Sequence, residues 1–114
     1  MTSTVPELLD KLATHGHPAQ IADHLVDLGV AGYPRTRTLC AIAAYLRQAH
    51  PALAGVQVYT DSGIVTWTYR NVPCTRRSSA RLPDALHTLA IQFDQGLHPR
   101  LQWGWHAAVD EPVA

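Results

Sequence analysis

The stretch VQVYTDSGIVTWTYR, residues 56–70, decides how this chain folds. Val, Ile, Thr, Tyr and Trp dominate it, and β-branched and aromatic residues fit the pleated, half-buried surface of a β-strand. The triplet Asp61-Ser62-Gly63 interrupts the run in its middle and is typical of a turn. The stretch is therefore predicted to form a β-hairpin.

The apolar pattern of this stretch also favours one pairing of its two strands. A four-residue loop, with Gly63 supplying a left-handed backbone, sets Val58 opposite Val65. This pairing places Val56, Val58, Val65, Trp67 and Tyr69 on one face. A three-residue loop would shift the pairing by one residue and divide this set between both faces. The four-residue loop is the prediction.

Two helices are predicted at the start of the chain. Thr4 and Glu7 form the pattern of a capping box, and the helix that they open extends to about His15. A second helix is predicted over Pro18–Leu28, ending before Gly29, with its apolar residues at helical spacing. Its predicted buried residues are Ile21, Leu25 and Leu28.

A third helix is predicted before the hairpin, capped by Thr36 or Thr38 and running to about His50. Apolar residues recur on its predicted core face at Leu39, Ile42, Ala43 and Leu46. After the hairpin, residues 75–82 are predicted to add a polar edge strand.

A fourth helix is predicted to start at Pro83 and Asp84 and to end at Gly96. The chain beyond it, residues 97–114, shows no periodicity and is predicted to be irregular. The predicted fold class is α+β: N-terminal helices, a two- to three-stranded antiparallel β-meander, a C-terminal helix and an irregular tail. The predicted single domain covers residues 1–101, and the tail covers residues 102–114.

Size and composition indicate one domain in a reducing compartment. The chain has 114 residues, of which 46% are hydrophobic, so it can bury a core without a metal or disulfide. Its two cysteines have no CxxC spacing, no signal peptide is recognisable, and free thiols and a cytoplasmic location are expected. The longest apolar run is far shorter than the roughly 20 residues that cross a bilayer, so no membrane partner is expected.

Two segments carry a family resemblance: CAIAAYLR, residues 40–47, and LPDALHTLAIQFDQGLHPRL, residues 82–101. They resemble parts of small uncharacterised proteins common in high-G+C bacteria. In those proteins a helix-opening Leu-Pro precedes an apolar helix, then Phe-Asp-x-Gly and Pro-x-Leu. The resemblance covers roughly residues 18–101 and implies the layout of two helices, three strands and a helix. It implies no activity.

Charge is unevenly distributed along a chain that is neutral overall. Residues 1–34 hold one lysine against four acidic residues, residues 35–81 hold seven arginines against Asp61, and residues 82–114 hold one arginine against four acidic residues. A basic centre with aromatic side chains is what a nucleic-acid-binding surface needs. One alternative function is therefore nucleic-acid binding, in a winged-helix-like arrangement, by Arg35, Arg37, Arg47, Arg70, Arg76, Arg77, Arg81, Trp67 and Tyr69.

Metal and thiol chemistry have weaker motifs. Among seven histidines only His15 and His17 are closely spaced, and no histidine pair at helical spacing or cysteine pair accompanies them, so no metal or other cofactor is predicted. Cys40 lies near a predicted helix N-terminus, where a thiol pKa is lowered, and Cys74 lies near two arginines. A second alternative is thus a thiol-dependent enzyme.

The main functional hypothesis is a non-enzymatic accessory protein that binds another macromolecule, either another protein or a second copy of itself. No acid–base pair, glycine-rich phosphate loop or metal cluster is recognisable in the sequence. Tryptophan is enriched at binding hot spots, and the tail carries Trp103-Gly104-Trp105. The predicted protein-binding residues are Trp103, Trp105 and, on the outer face of the hairpin, Tyr59.

Overall fold

The structure is a computed structural model that describes residues 4–70 and 77–103. Its elements, in chain order, are α1 (Val5–Ala13), α2 (Pro18–Asp27), α3 (Ala41–Ala49), β1 (Leu53–Tyr59), β2 (Ile64–Tyr69), β3 (Ser78–Arg81), α4 (Asp84–Asp94) and a turn of 3-10 helix (Pro99–Leu101). The strands form an antiparallel sheet in the order β1-β2-β3. The α+β fold class is confirmed.

The hairpin has the predicted register. Val58 pairs with Val65, Val56 pairs with Trp67, and Gly63 closes the four-residue loop at φ +71°. The sheet thereby turns its apolar side chains towards the helices, where four of the five predicted residues are buried and Tyr69 is half-buried. β1 begins at Leu53, which is earlier than the predicted start of the hairpin at Val56. A register shift between Leu53 and Gly55 accommodates this extension.

The core lies between the inner face of the sheet and the four helices. The largest of its fully buried side chains include Leu9 of α1, Ile21 and Leu25 of α2, Leu46 of α3 and Phe93 of α4. Each of these helices is amphipathic, so burial of its apolar stripe is the main source of its stability.

The predicted boundaries of α1, α2 and α4 agree with the structure to within two residues. The capping box of α1 is present, with the Glu7 N–H donating to the Thr4 hydroxyl oxygen at 3.2 Å. One burial prediction is wrong: Leu28 is 40% exposed. It follows the last residue of α2, and Val30 is the apolar residue that turns inward after Gly29.

The predicted start of α3 is also wrong. The helix begins at Ala41 with Cys40 as its N-cap, and neither Thr36 nor Thr38 caps it. Residues before the helix instead run beside β1, where the Val58 N–H donates to the Arg37 carbonyl at 2.8 Å. This segment covers the free edge of β1, which supplies the backbone hydrogen bond that an edge strand otherwise lacks. Leu39 is consequently outside the helix and exposed.

The segment after α4 returns to the domain. Leu101 is fully buried, and Gln102 forms a parallel bridge with Gly32. The start of the predicted tail is therefore attached to the loop between α2 and α3. None of the helices in the described ranges is both long and apolar enough to cross a membrane.

Candidate functional site

An apolar groove lies where the chain after the 3-10 turn passes the loop before α3. Its volume is about 340 Å³. Three of the large apolar side chains around it are exposed: Tyr33 by 45%, Leu39 by 47% and Trp103 by 64%. We call it the Trp103 groove and define it by its lining residues, which are Ala31, Gly32, Tyr33, Leu39, Arg47 and Trp103.

Backbone hydrogen bonds fix the walls of the Trp103 groove. The Gly32 N–H donates to the Leu101 carbonyl and the Trp103 N–H donates to the Gly32 carbonyl, both at 2.8 Å. The Tyr33 N–H donates to the Leu39 carbonyl at 2.7 Å. Gly32 makes this close approach achievable, because a Cβ there would lie 2.5 Å from the Leu39 carbonyl oxygen. The three exposed side chains are thus carried on a backbone frame that is already ordered.

Arg47 supplies the charge of the groove. It projects from α3, and its guanidinium donates to the Thr38 carbonyl. Among the described residues, none of those that line the groove is acidic. A fixed cation therefore borders an exposed apolar surface.

Two of the three predicted protein-binding residues lie in the part of the chain that the structure describes. Trp103 lines the groove, Trp105 lies outside the described residues, and Tyr59 lies on the outer face of the sheet. The Tyr59 ring is half-buried, because the Arg37 guanidinium lies 4.7 Å from its centroid. Its hydroxyl donates to the Gln57 side chain.

Sequence reasoning missed Tyr33 and Leu39 as site residues. Leu39 has the spacing of a core residue only if the third helix starts before it. Tyr33 carried a signal, because an aromatic residue between Gly32 and Pro34 in a predicted loop has few ways to become buried.

The arginines of the predicted basic segment do not form one patch. Arg35 and Arg37 line a hollow of about 280 Å³ between their loop, the hairpin turn and the end of α4. Asp61 and Asp94 line the same hollow and offset the two positive charges. The Asp94 carboxylate accepts from the Arg35 backbone N–H at 2.7 Å and from the Thr60 hydroxyl at 3.0 Å. This carboxylate holds together the loop and the hairpin.

The remaining arginines are spread over the molecule. Arg47 belongs to the Trp103 groove, and Arg70 donates to the Pro51 carbonyl at 3.0 Å. Arg77 and Arg81 belong to the exposed side of the sheet. Arg76 lies outside the described residues.

The prediction that Trp67 stacks on bases needs correction. The register turns Trp67 towards the helices, and its side chain is only 5% exposed. Its indole N–H donates to the Tyr69 hydroxyl oxygen at 3.2 Å, and Tyr69 is half-buried. Stacking on a base needs an accessible ring face, which Trp67 does not offer. Its role is in the core.

The thiol of Cys40 is buried. Burial raises its pKa, although the backbone N–H groups of Ala43 and Ile42 at the start of α3 lower it in part. A raised pKa keeps the thiol protonated, whereas nucleophilic cysteines need the thiolate. Cys74, the other residue of the thiol hypothesis, lies outside the described residues.

The histidines near α1 and α2 pack against each other. The rings of His15 and His24 stack with centroids 3.7 Å apart. Within residues 4–70 and 77–103, no group of three or more His, Cys, Asp or Glu residues is arranged to hold a metal ion.

Comparison of the chain with protein-family models, with curated proteins and with solved structures finds no match. The resemblance to small proteins of high-G+C bacteria stays a prediction.

Proposed function

We propose that this protein is a small non-enzymatic accessory protein that binds a segment of another protein in the Trp103 groove. The observation that carries the proposal is the exposure of Tyr33, Leu39 and Trp103 side by side around one hollow. Clustered exposed apolar side chains are typical of interaction surfaces, and aromatic residues and arginine are enriched at them.

The order of the groove supports the same proposal. The aromatic side chains of the groove lining are those of Tyr33 and Trp103. Both lie on backbone segments that are hydrogen bonded to neighbouring segments. A partner therefore meets side chains whose backbone is already fixed, and binding costs less conformational entropy. Tryptophan with its ring largely exposed is the residue type most often found as a binding hot spot.

Arg47 defines the chemistry of the partner. Among the described residues that line the groove, it is the only charged one. A complementary segment therefore places a large apolar side chain in the groove and a carboxylate beside Arg47. A second copy of this chain fits less well, because a symmetric contact between two such grooves would bring two Arg47 side chains towards each other. The proposed occupant is an apolar segment with a neighbouring Asp or Glu.

A peptide library displayed on phage tests this proposal. Panning on the immobilised full chain should enrich peptides with an aromatic or aliphatic residue close to an acidic one. Trp103→Ala should raise the dissociation constant of an enriched peptide at least about tenfold, the usual effect of a hot-spot tryptophan. Arg47→Ala should raise this dissociation constant about threefold to tenfold.

The matched control is Leu97→Ala. Leu97 is 59% exposed and does not line the groove, so its removal should change binding less than about twofold. Thermal unfolding establishes that each variant is folded, and Leu39→Ser replaces Trp103→Ala if that variant is not. Peptides that bind wild type and Trp103→Ala equally would overturn the proposal. A concentration-dependent dimer that Trp103→Ala abolishes would assign the groove to a second copy instead.

A further inference from the structure

We infer that the exposed side of the sheet is a second binding surface, with a single-stranded nucleic acid as its ligand. The surface is separate from the Trp103 groove, since the two share no residue. We call it the outer sheet face and define it by the side chains that the register turns away from the helices, together with the arginine that packs on them: Arg37, Gln57, Tyr59, Ile64, Thr66, Arg77, Ser79 and Arg81.

The pairing register assembles this face from three strands. Residues paired across an antiparallel sheet share a side, so Tyr59, Ile64 and Arg81 form one row. Gln57, Thr66 and Ser79 form the next row. The neighbouring row of Val58, Val65 and Ala80 points to the core, which confirms that the two rows above point outward.

Arg77 and Arg81 give the outer sheet face its net positive charge, whereas Asp61 and Asp94 in the neighbouring hollow offset the charge of Arg37. Arg77 donates to the Thr66 hydroxyl at 3.1 Å, and Arg37 lies over the Tyr59 ring. Arg81 is exposed at the end of the first row. No acidic residue is among the residues that define the face.

This charge favours a polyanion with regularly spaced charges. Arg77 directly precedes β3 and Arg81 is its last residue, so they are four residues apart, which is about 13 Å in an extended chain. A flexible single strand can follow such a row of cations with successive phosphates, and an acidic folded protein matches it less readily. Arg37 stacked on Tyr59 adds a planar cation on which a base can stack, and Ile64, 37% exposed, adds apolar surface.

Fluorescence anisotropy with a labelled 20-mer of deoxythymidine tests the inference at salt concentrations from 20 to 200 mM. Two neutralised phosphates, one at Arg77 and one at Arg81, predict that the logarithm of the affinity falls against the logarithm of the salt concentration with a slope of about −1.4. Arg77→Ala and Arg81→Ala should each weaken binding about threefold to tenfold and each reduce the magnitude of the slope by about 0.7.

Arg100→Ala is the matched control, because it changes the net charge by the same amount. Arg100 lies off the sheet, where it pairs with Asp23 at 3.1 Å, and its variant should bind within about twofold of wild type. An abasic strand of the same length should bind several times more weakly, since it cannot stack on the Arg37–Tyr59 pair.

Three outcomes would overturn the inference. The first is no anisotropy change at 20 mM salt with protein at about 100 μM, which is the weak end of the range for non-specific binding at physiological salt. The second is an equal loss in Arg81→Ala and Arg100→Ala, which would indicate attraction by overall charge. The third is equal binding of the abasic strand or of polyglutamate, which would make the face a general polyanion surface.

Discussion

The side chain of Tyr45 is buried between α3 and α1. Its phenol oxygen is 3.5 Å from the Leu8 carbonyl oxygen, at the limit of a hydrogen bond. Burial raises the pKa of this phenol above its ordinary value. The folded state therefore favours the neutral phenol more strongly than the unfolded state does. Below the unfolded-state pKa, both states are neutral and the free energy of unfolding does not depend on this group.

This difference predicts how Tyr45→Phe behaves in alkali. As the pH rises above about 10, the unfolded phenol ionises before the folded one, and the free energy of unfolding of the wild type falls by up to about 1.4 kcal/mol per pH unit. Tyr45→Phe lacks this contribution. We expect the variant to match wild type at about pH 7 within about 0.5 kcal/mol and to be more stable than wild type at about pH 11. Urea unfolding at both values measures the difference, with Tyr33→Phe at an exposed position as the control. A constant gap at all pH values would contradict the assignment.

Individual burial states could be predicted wherever the periodic pattern and the backbone agree. Val58, Val65 and Trp67 alternate along strands that the sequence locates correctly, so their inward direction follows from the register. Leu28 and Leu39 have helical spacing but lie just outside the helices that the spacing belongs to. The turn geometry at each helix end decides their exposure. Gly29 sets this geometry locally after α2, whereas the contact of the Arg37 carbonyl with β1 sets it before α3.

Gly63 joins the hairpin to α4. A Cβ there would lie 2.8 Å from His87 Nδ1, and φ is +71°, where residues with a side chain are strained. The His87 ring cannot easily move, because its Nε2 donates to the Thr60 carbonyl at 2.7 Å. Gly63→Ala should therefore lower the free energy of unfolding by about 2–3 kcal/mol, combining strain with crowding.

Gly29 provides the matched control for Gly63. Its φ is +76°, but no atom lies within 4 Å of a Cβ placed there, so Gly29→Ala should cost only the backbone strain of about 1 kcal/mol. A double-mutant cycle of Gly63→Ala with His87→Ala should recover about 1 kcal/mol as coupling. Urea unfolding of the five proteins supplies these values. Equal losses at Gly63 and Gly29, with no coupling, would show that the His87 contact does not matter.

Local signals explain which elements could be predicted. α1 carries its own capping box and α2 ends at a glycine, so neighbouring residues alone determine these boundaries. The start of α3 differs, because two threonines offered equally good caps in the sequence. In the structure the Thr36 hydroxyl donates to the Tyr33 carbonyl, and the Arg37 carbonyl serves β1. The segment that holds the two threonines therefore runs along β1, which is distant in sequence, and neither threonine caps α3.

The Trp103 groove is a property of the whole chain, and for that reason the sequence indicated only one of its aromatic side chains. Its lining comes from the loop after α2, from α3 and from the end of the 3-10 turn. Trp103 was recognisable because exposed tryptophan is uncommon. Its neighbours Tyr33 and Leu39 are more than 60 residues away along the chain. The outer sheet face was partly predictable, since a correct hairpin register fixes the direction of four of its eight side chains.

The segment from Leu101 to Trp103 is attached to the loop between α2 and α3. Its contribution to the free energy of unfolding can be measured by truncation. A chain that ends at Trp103 keeps the bond from the Trp103 N–H to the Gly32 carbonyl and the bond from the Gln102 N–H to the Pro99 carbonyl, whereas a chain that ends at Leu101 loses both. We expect the shorter chain to be less stable by about 1–2 kcal/mol, the net value of one or two such hydrogen bonds. It should also lose the binding of groove-selected peptides, which the chain ending at Trp103 should retain. Urea unfolding and peptide titration measure the two effects. Equal stability and equal binding of both truncated chains would mean that Gln102 and Trp103 hold neither the fold nor the groove.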